Sequence, residues 1–274
     1  WTRSDFNPQS AIVRHNDDAY AFSRKQGLFH LERFKLSSGE SIYSKVASHN
    51  ARLSPIVHKG KLYASDRLKM TCYHLTTGDV IWSRDFDDTI SYYPVMNSQY
   101  LAVILNRRHV LVLDSGSGEE LWRKSFRSKI QFAPVIHGES LIIAMRKSSD
   151  IQKNPFIQAL SLSSKDQLWQ YETNGKYQEF STTSALKNDM YYCSIRIGDE
   201  ATLIAIDANT GAKVWDHPYR YYPHLKENGL VVSKDQLYTI AAIEGGAPSL
   251  LALSSKEGYL ISDFSMQSYL SDPL

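Results

Sequence analysis

Short apolar runs broken by polar turns of two to four residues recur from one end of this chain to the other. SPIVHKGKLYAS (54–65), YPVMNSQYLAVI (93–104) and APVIHGESLIIA (133–144) each read as two strands joined in a hairpin. A further strand pair follows in each case, as in LAVILNRRHVLVLD (101–114), where Asn106 to Arg108 supply the turn. The alternation in VLVLD (110–114) and LIAID (203–207) predicts strands with one buried face, and no segment carries a comparable 3.6-residue period. The chain is therefore expected to be all-β, with helix scarce.

The hairpins belong to a larger repeat. HLTTGDVIWSRDF (74–86), LDSGSGEELWRKSF (113–126) and IDANTGAKVWDHPY (206–219) share one frame, which also fits LSLSSKDQLWQYET (160–173) and, with Tyr for Trp, FKLSSGESIYSKV (34–46). A sixth, weaker copy is ALSSKEGYLISDF (252–264), with Leu260 set at the Trp position. The markers Tyr43, Trp82, Trp122, Trp169, Trp215 and Leu260 then lie about 39 to 47 residues apart, the period of a four-stranded propeller blade. Gly39, Gly78, Gly118 and Gly211 suit a left-handed turn position before the last strand, Asp114 and Asp207 can bond the turn's backbone, and a flat Trp can fill the wedge between sheets.

The pattern D-x-x-T-G-x-x-x-W, complete at Asp207, Thr210, Gly211 and Trp215, resembles the quinoprotein-type, or PQQ-like, β-propeller repeat family over nearly the whole chain. The resemblance implies a propeller of four-stranded antiparallel blades, about six of them by the repeats, with seven possible. One domain is expected over 1–274, with repeats at about 10–46, 53–86, 93–126, 133–173, 183–219 and 229–264 and a tail at 265–274. Quinoprotein dehydrogenases are the enzymes of that family, and many stack their quinone on a disulfide between adjacent cysteines. The two cysteines here, Cys72 and Cys193, are far apart, and no acidic base or calcium ligand falls on a matching motif. The resemblance therefore points to the family's non-enzymatic branch, that of the outer-membrane assembly lipoprotein, with no catalytic residue, cofactor or metal site expected. An extracytoplasmic, cell-envelope location follows from that resemblance alone.

Composition narrows the field further. A chain of 274 residues with 42% hydrophobic and 22% charged residues can build a large core, and a formal charge of +2 lacks the basic excess of a dedicated nucleic-acid binder. No apolar run approaches the roughly 18 residues of a membrane span, so no membrane insertion by this segment is expected. The nine histidines are scattered and no HExxH or GxSxG element occurs. His58 and His137 fall in equivalent inter-strand turns, which favours a structural role over metal binding.

The informative asymmetry concerns the two ends of a blade. Loops leading into blades and hairpins between second and third strands should emerge together, and both are rich in aromatic and cationic residues. The first class supplies Tyr92, Tyr93, Phe132, Tyr177, Phe180 and the cluster YRYYPH, with Tyr219, Arg220, Tyr221, Tyr222 and His224; the second supplies Arg24, Lys25, Arg67, Arg107, Arg108, Arg146, Lys147 and Arg196. Taken singly, such a tyrosine is equally explained by packing between sheets and such a cation by solvation. Together they have the composition of an interaction surface for a protein or peptide partner. The alternative is a module for a carbohydrate or polyanion, and an enzyme with an unrecognised central site is a third reading.

Two segments stand apart. RKSSDIQKNP (146–155) reads as a long polar hairpin insertion. WTRSDF (1–6) superposes on WSRDF (82–86), so Trp1 is expected to begin an outermost strand that completes the C-terminal blade and closes the ring. If LISDF (260–264) is that blade's own fourth strand, Trp1 instead ends an earlier blade, and the chain is a piece of a longer propeller.

Overall fold

A computed structural model describes residues 7–47, 55–147, 154–173, 178–180, 183–197, 200–220, 229–241 and 249–265, with the side chains of 220, 241 and 265 left undescribed. Every regular element among them is a β-strand. The expected six repeats are six antiparallel sheets. The chain divides into two compact units, Trp1–Lys124 and Ser125–Leu274.

The first sheet contains Val13–His15, Asp18–Lys25, Leu28–Lys35 and Ser41–Val46; the second contains Ile56–His58, Lys61–Ser65, Lys69–His74 and Val80–Asp85; the third contains Val95–Met96, Tyr100–Leu105, His109–Asp114 and Glu120–Ser125. In the second unit the strands Val135–His137, Ser140–Arg146, Pro155–Ser161 and Gln167–Glu172 form the fourth sheet, and Ala185–Lys187, Met190–Ile197, Glu200–Asp207 and Lys213–Arg220 form the fifth. Each of these gains a two-residue strand, Lys129–Ile130 or Glu179–Phe180, on the far end of its second strand. The sixth sheet comprises Val231–Ser233, Gln236–Ala241, Ser249–Ser254 and Leu260–Ser265.

The turn before the last strand shows why the motif reads as it does. Asp114 Oδ1 accepts from the backbone N–H of Gly116 and Ser117 and from Ser117 Oγ at 2.8–3.1 Å, and Asp207 Oδ1 repeats the set with Asn209 and Thr210. These donors hold both carboxyls below the ordinary aspartate range, against a smaller upward push from burial. Gly118 adopts φ of 75° and donates its N–H to Asp114 O. A register shift just before the turn then sets Trp215 opposite Ala205, as it sets Trp82 opposite Cys72.

Within each unit the markers that precede another sheet pack on its turn, as Tyr43 does on Gly78. Trp82 covers Gly118, Trp169 covers Gly211 and Trp215 covers Gly258, leaving no room for a Cβ at any of the three glycines. Their indole N–H groups donate to the carbonyls of Ser115, Ala208 and Ser255 at 3.0–3.2 Å. Tyr43 substitutes because its hydroxyl donates to the equivalent carbonyl, that of Leu75. A side chain that fills this wedge and meets this carbonyl is flat, apolar and a donor, which Trp and Tyr combine. Burying one indole contributes up to roughly 4 kcal/mol.

The expectation of one buried face per strand is corrected. Leu203 and Ala205 pack against the sixth sheet, whereas Ile204 and Ile206 pack against the fourth. In the first unit Tyr73 faces the first sheet and Cys72 the third. The middle sheet of each unit is therefore covered on both faces, and alternation selects a neighbouring sheet instead of separating core from water.

The sixth frame is also corrected. Gly258, with φ of 77°, occupies the turn-glycine position, so the residue four further on, Ser262, stands opposite Ala252 where the others carry Trp or Tyr. Leu260 corresponds to Val80, two residues earlier. LISDF lies in that sheet's own fourth strand. The segment 1–6 with Trp1, residues 148–153 of the insertion and the tail beyond 265 lie outside the described residues.

Candidate functional site

Sheet register decides whether the leading loops and the middle hairpins share an end. In the third sheet they do: Ile90 bridges to Leu105, Ser91 N–H donates to Ile104 O, and Asn106 N–H donates to Thr89 O. The same segment touches the second sheet's hairpin, where Phe86 and Ile90 N–H donate to the carbonyls of Leu68 and Arg67. Pro8 on Ser23, Lys129 on Arg146 and Glu179 on Arg196 repeat the arrangement in the first, fourth and fifth sheets.

The first unit presents the denser cluster. Arg107 sits in a left-handed hairpin position with φ of 55°, its N–H held by Ser91 Oγ, and its guanidinium lies 5.9 Å from the Tyr92 ring centre. Burial raises the Tyr92 phenol above its ordinary range, offset in part by Arg107. Tyr93 is 52% and Leu68 48% exposed beside them, with Arg67 also exposed and Arg108 half-buried. This is a small apolar and cationic patch on a backbone tied at several points.

The second unit treats its candidates differently. Arg146 and Arg196 each hold one oxygen of Glu179 at 3.0 Å, which ties the fourth sheet's hairpin to the fifth's. Phe132 and Phe180 pack edge to face at 5.1 Å. Tyr219 is a correction: it is 8% exposed, packs in the core between fifth and sixth sheets, and its hydroxyl meets Ser194 Oγ at 2.6 Å, so it offers no surface to a partner. Arg220 lies at the end of a strand, and Tyr177, Tyr221, Tyr222 and His224 lie outside the described residues.

The register also exposes a polar cavity of about 280 Å³ in the second unit, which the sequence did not suggest. Tyr171 lines it from the fourth sheet, and Arg196, Glu200, Lys213 and Asp216 from the fifth. Gln178 lines it too, and its Oε1 is buried with no hydrogen-bond partner. Among the described residues no cluster of three metal-ligating side chains occurs. The thiols of Cys72 and Cys193 are each buried within a sheet. They do not form the adjacent pair on which a quinone would stack.

A family model described as outer membrane protein assembly factor BamB matches residues 70–263. The chain belongs to this family. Among solved structures, BamB from Moraxella catarrhalis superposes with a TM-score of 0.63 at 12% identity, over 94% of this chain and 77% of that one. The family shares its fold with enzymes. A europium-containing methanol dehydrogenase matches at 0.59 and 13% identity, and the quinohemoprotein alcohol dehydrogenase of Comamonas testosteroni at 0.58 and 15%. Each match spans 77% of this chain but only 50% and 42% of those enzymes. No curated protein matches significantly. The fold class is therefore that of a PQQ-like propeller, and among the described residues no helix is long and apolar enough to cross a membrane.

Proposed function

We propose that this chain is a non-catalytic scaffold of the cell envelope, which binds a protein or peptide partner through the end of its sheets bearing Arg67, Leu68, Tyr92, Tyr93 and Arg107. The observation that carries the reading is the Tyr92 and Arg107 pair, fixed by backbone hydrogen bonds beside two exposed apolar side chains. Rigid aromatic and guanidinium anchors lose little entropy on binding, which is why they concentrate at interface centres. The family's description as an assembly factor supports a binding role, whereas likeness to dehydrogenases extends to fold alone.

The test is capture from native-source extract by the immobilised chain, read by mass spectrometry. A Leu68→Ser, Tyr93→Ala, Arg107→Ala variant, whose changes are all at exposed positions, should lose the enriched partner while retaining its melting temperature. A second variant with Arg220, Tyr221 and Tyr222 replaced by Ala asks the same of the YRYYPH segment. Undiminished capture by both variants would sink the reading.

The polar cavity beside Tyr171 supports a second reading, a carbohydrate module. An aromatic wall, an unpartnered amide oxygen and two acids against two cations suit a neutral sugar better than a polyanion. Glycan-array binding that is lost in Tyr171→Ala would favour it.

A further inference from the structure

The first hairpins of the second and fourth sheets carry a histidine at the same place, His58 and His137, each at the end of its own sheet opposite the hairpin between second and third strands. The Nε2 of His137 is served by the following sheet. Its Nε2 lies 3.2 Å from Asp189 Oδ1 and 3.1 Å from Asn209 Oδ1. Both partners are oxygens, so Nε2 is the donor.

His58 has neither acceptor. In the third sheet the residue corresponding to Asp189 is Gln99, and the one corresponding to Asn209 is Gly116, which has no side chain to offer. The result is a cavity of about 210 Å³ lined by His58, Lys59, Lys61, Ser98, Gln99 and Gly116. His58 Nε2 is shielded from water with no hydrogen-bond partner. Lys61 Nζ stands 3.7 Å from where a Cβ on Gly116 would project, over the place that Asn209 fills in the second unit. Neither Lys59 nor Lys61 makes a salt bridge to a carboxylate among the described residues. Asp114 also lines the cavity, but its Oδ1 is taken by three donors of its own turn.

We propose that this cavity binds a carboxylate. One guest oxygen takes the role of Asp189 and Asn209 and accepts from His58 Nε2 after a small turn of the ring; the other accepts from Lys61 Nζ. A carboxylate oxygen is the same kind of sp² acceptor that the equivalent histidine uses, and the second oxygen is left for the ammonium. Charge favours a monoanion as well: two ammonium groups against Asp114 leave one positive charge to neutralise, and a dianion would be left undercompensated. The source is a free small carboxylate or an acidic side chain of another chain, since both bring the same group.

The test is a histidine-ring NMR titration of the whole chain with sodium acetate, with an acidic peptide blocked at both termini, and with inorganic phosphate, at constant ionic strength. A saturable shift of His58, with His137 unmoved, is expected for acetate or for the peptide. Response to acetate assigns the site to free carboxylates, and response to the peptide alone assigns it to acidic side chains. Lys61→Gln and Gly116→Asn should each weaken binding by about tenfold or more. Gly116→Asn installs what the second unit already carries at Asn209, so its melting temperature should stay close to the parent's; should it fail to fold, Lys61→Gln decides alone. No saturation by either carboxylate, an equal response at His137, capture of phosphate but not carboxylate, or indifference to the variants would overturn the proposal.

Discussion

Trp82 lies on Gly118 so closely that a Cβ there would stand 2.6 Å from the indole, while the indole N–H donates to Ser115 O three residues before that glycine. One glycine thus serves both a left-handed turn and a ring that closes against it. Gly118→Ala should lower stability by about 3 kcal/mol, combining left-handed strain with displacement of Trp82. Gly60→Ala is the contrast, because Gly60 has φ of 72° but nothing within 4 Å of its would-be Cβ, and should cost only about 1 kcal/mol. Urea denaturation midpoints compare the two, and equal losses would show that the Trp82 contact adds nothing.

Ser255 O accepts from both Trp215 Nε1 at 3.1 Å and Tyr192 Oη at 3.0 Å. Either donor alone keeps the buried carbonyl satisfied. Trp215→Phe and Tyr192→Phe should therefore each cost about 1 kcal/mol through that carbonyl, and the double variant at least about 1 kcal/mol more than their sum. A double-mutant cycle by chemical denaturation measures the excess.

Arg33 joins the first two sheets: its guanidinium pairs with Asp18 Oδ2 at 2.6 Å, donates to Thr76 O at 3.0 Å and lies over Tyr20. Burial pushes the Asp18 carboxyl up, but Lys35 and Arg33 overcome it, and the folded-state pKa is lowered. A depressed carboxyl contributes stability that is present above its unfolded pKa and is lost as pH falls through the folded value. Asp18→Asn should thus destabilise by about 2 kcal/mol at pH 7, with the gap to the parent closing below about pH 4. Thermal melts across that range check the sign.

Burial pushes the Cys72 thiol up to about 11 and Cys193 higher still. Neither forms appreciable thiolate at pH 8 in the folded chain. Both should resist a thiol reagent until global unfolding, so the labelling rate should follow the unfolding equilibrium. Rapid labelling of native protein would contradict the burial.

The repeat was legible because its markers obey strict local rules: a turn carboxylate, a left-handed glycine, and four residues later a ring with a donor. The sixth frame slipped by two because Ser262 lacks a ring and the string LSSK occurs at 162–165 and at 253–256 in different registers. A shift of two preserves the inward and outward alternation of a strand, so hydrophobic pattern alone could not expose it. Gly258 was the available signal. Tyr219 is hidden for a related reason: YRYYPH reads as one surface cluster, but its first residue still belongs to a strand whose alternation turns it into the core.

The sequence by itself determined the all-β class, the six units and the family, because turns, alternation and markers are properties of neighbours along the chain. Only the tertiary structure decided which repeated positions are served and which are not. His58 and His137 are alike in sequence context, and their difference lies in Gln99 and Gly116 against Asp189 and Asn209, on the next sheet. Likewise Arg146 and Arg196 look like free hairpin cations until Glu179 is seen between them. The contacts of His137 with Asn209 and of Arg146 with Glu179 join residues dozens of positions apart, which meet only where one sheet packs on the next.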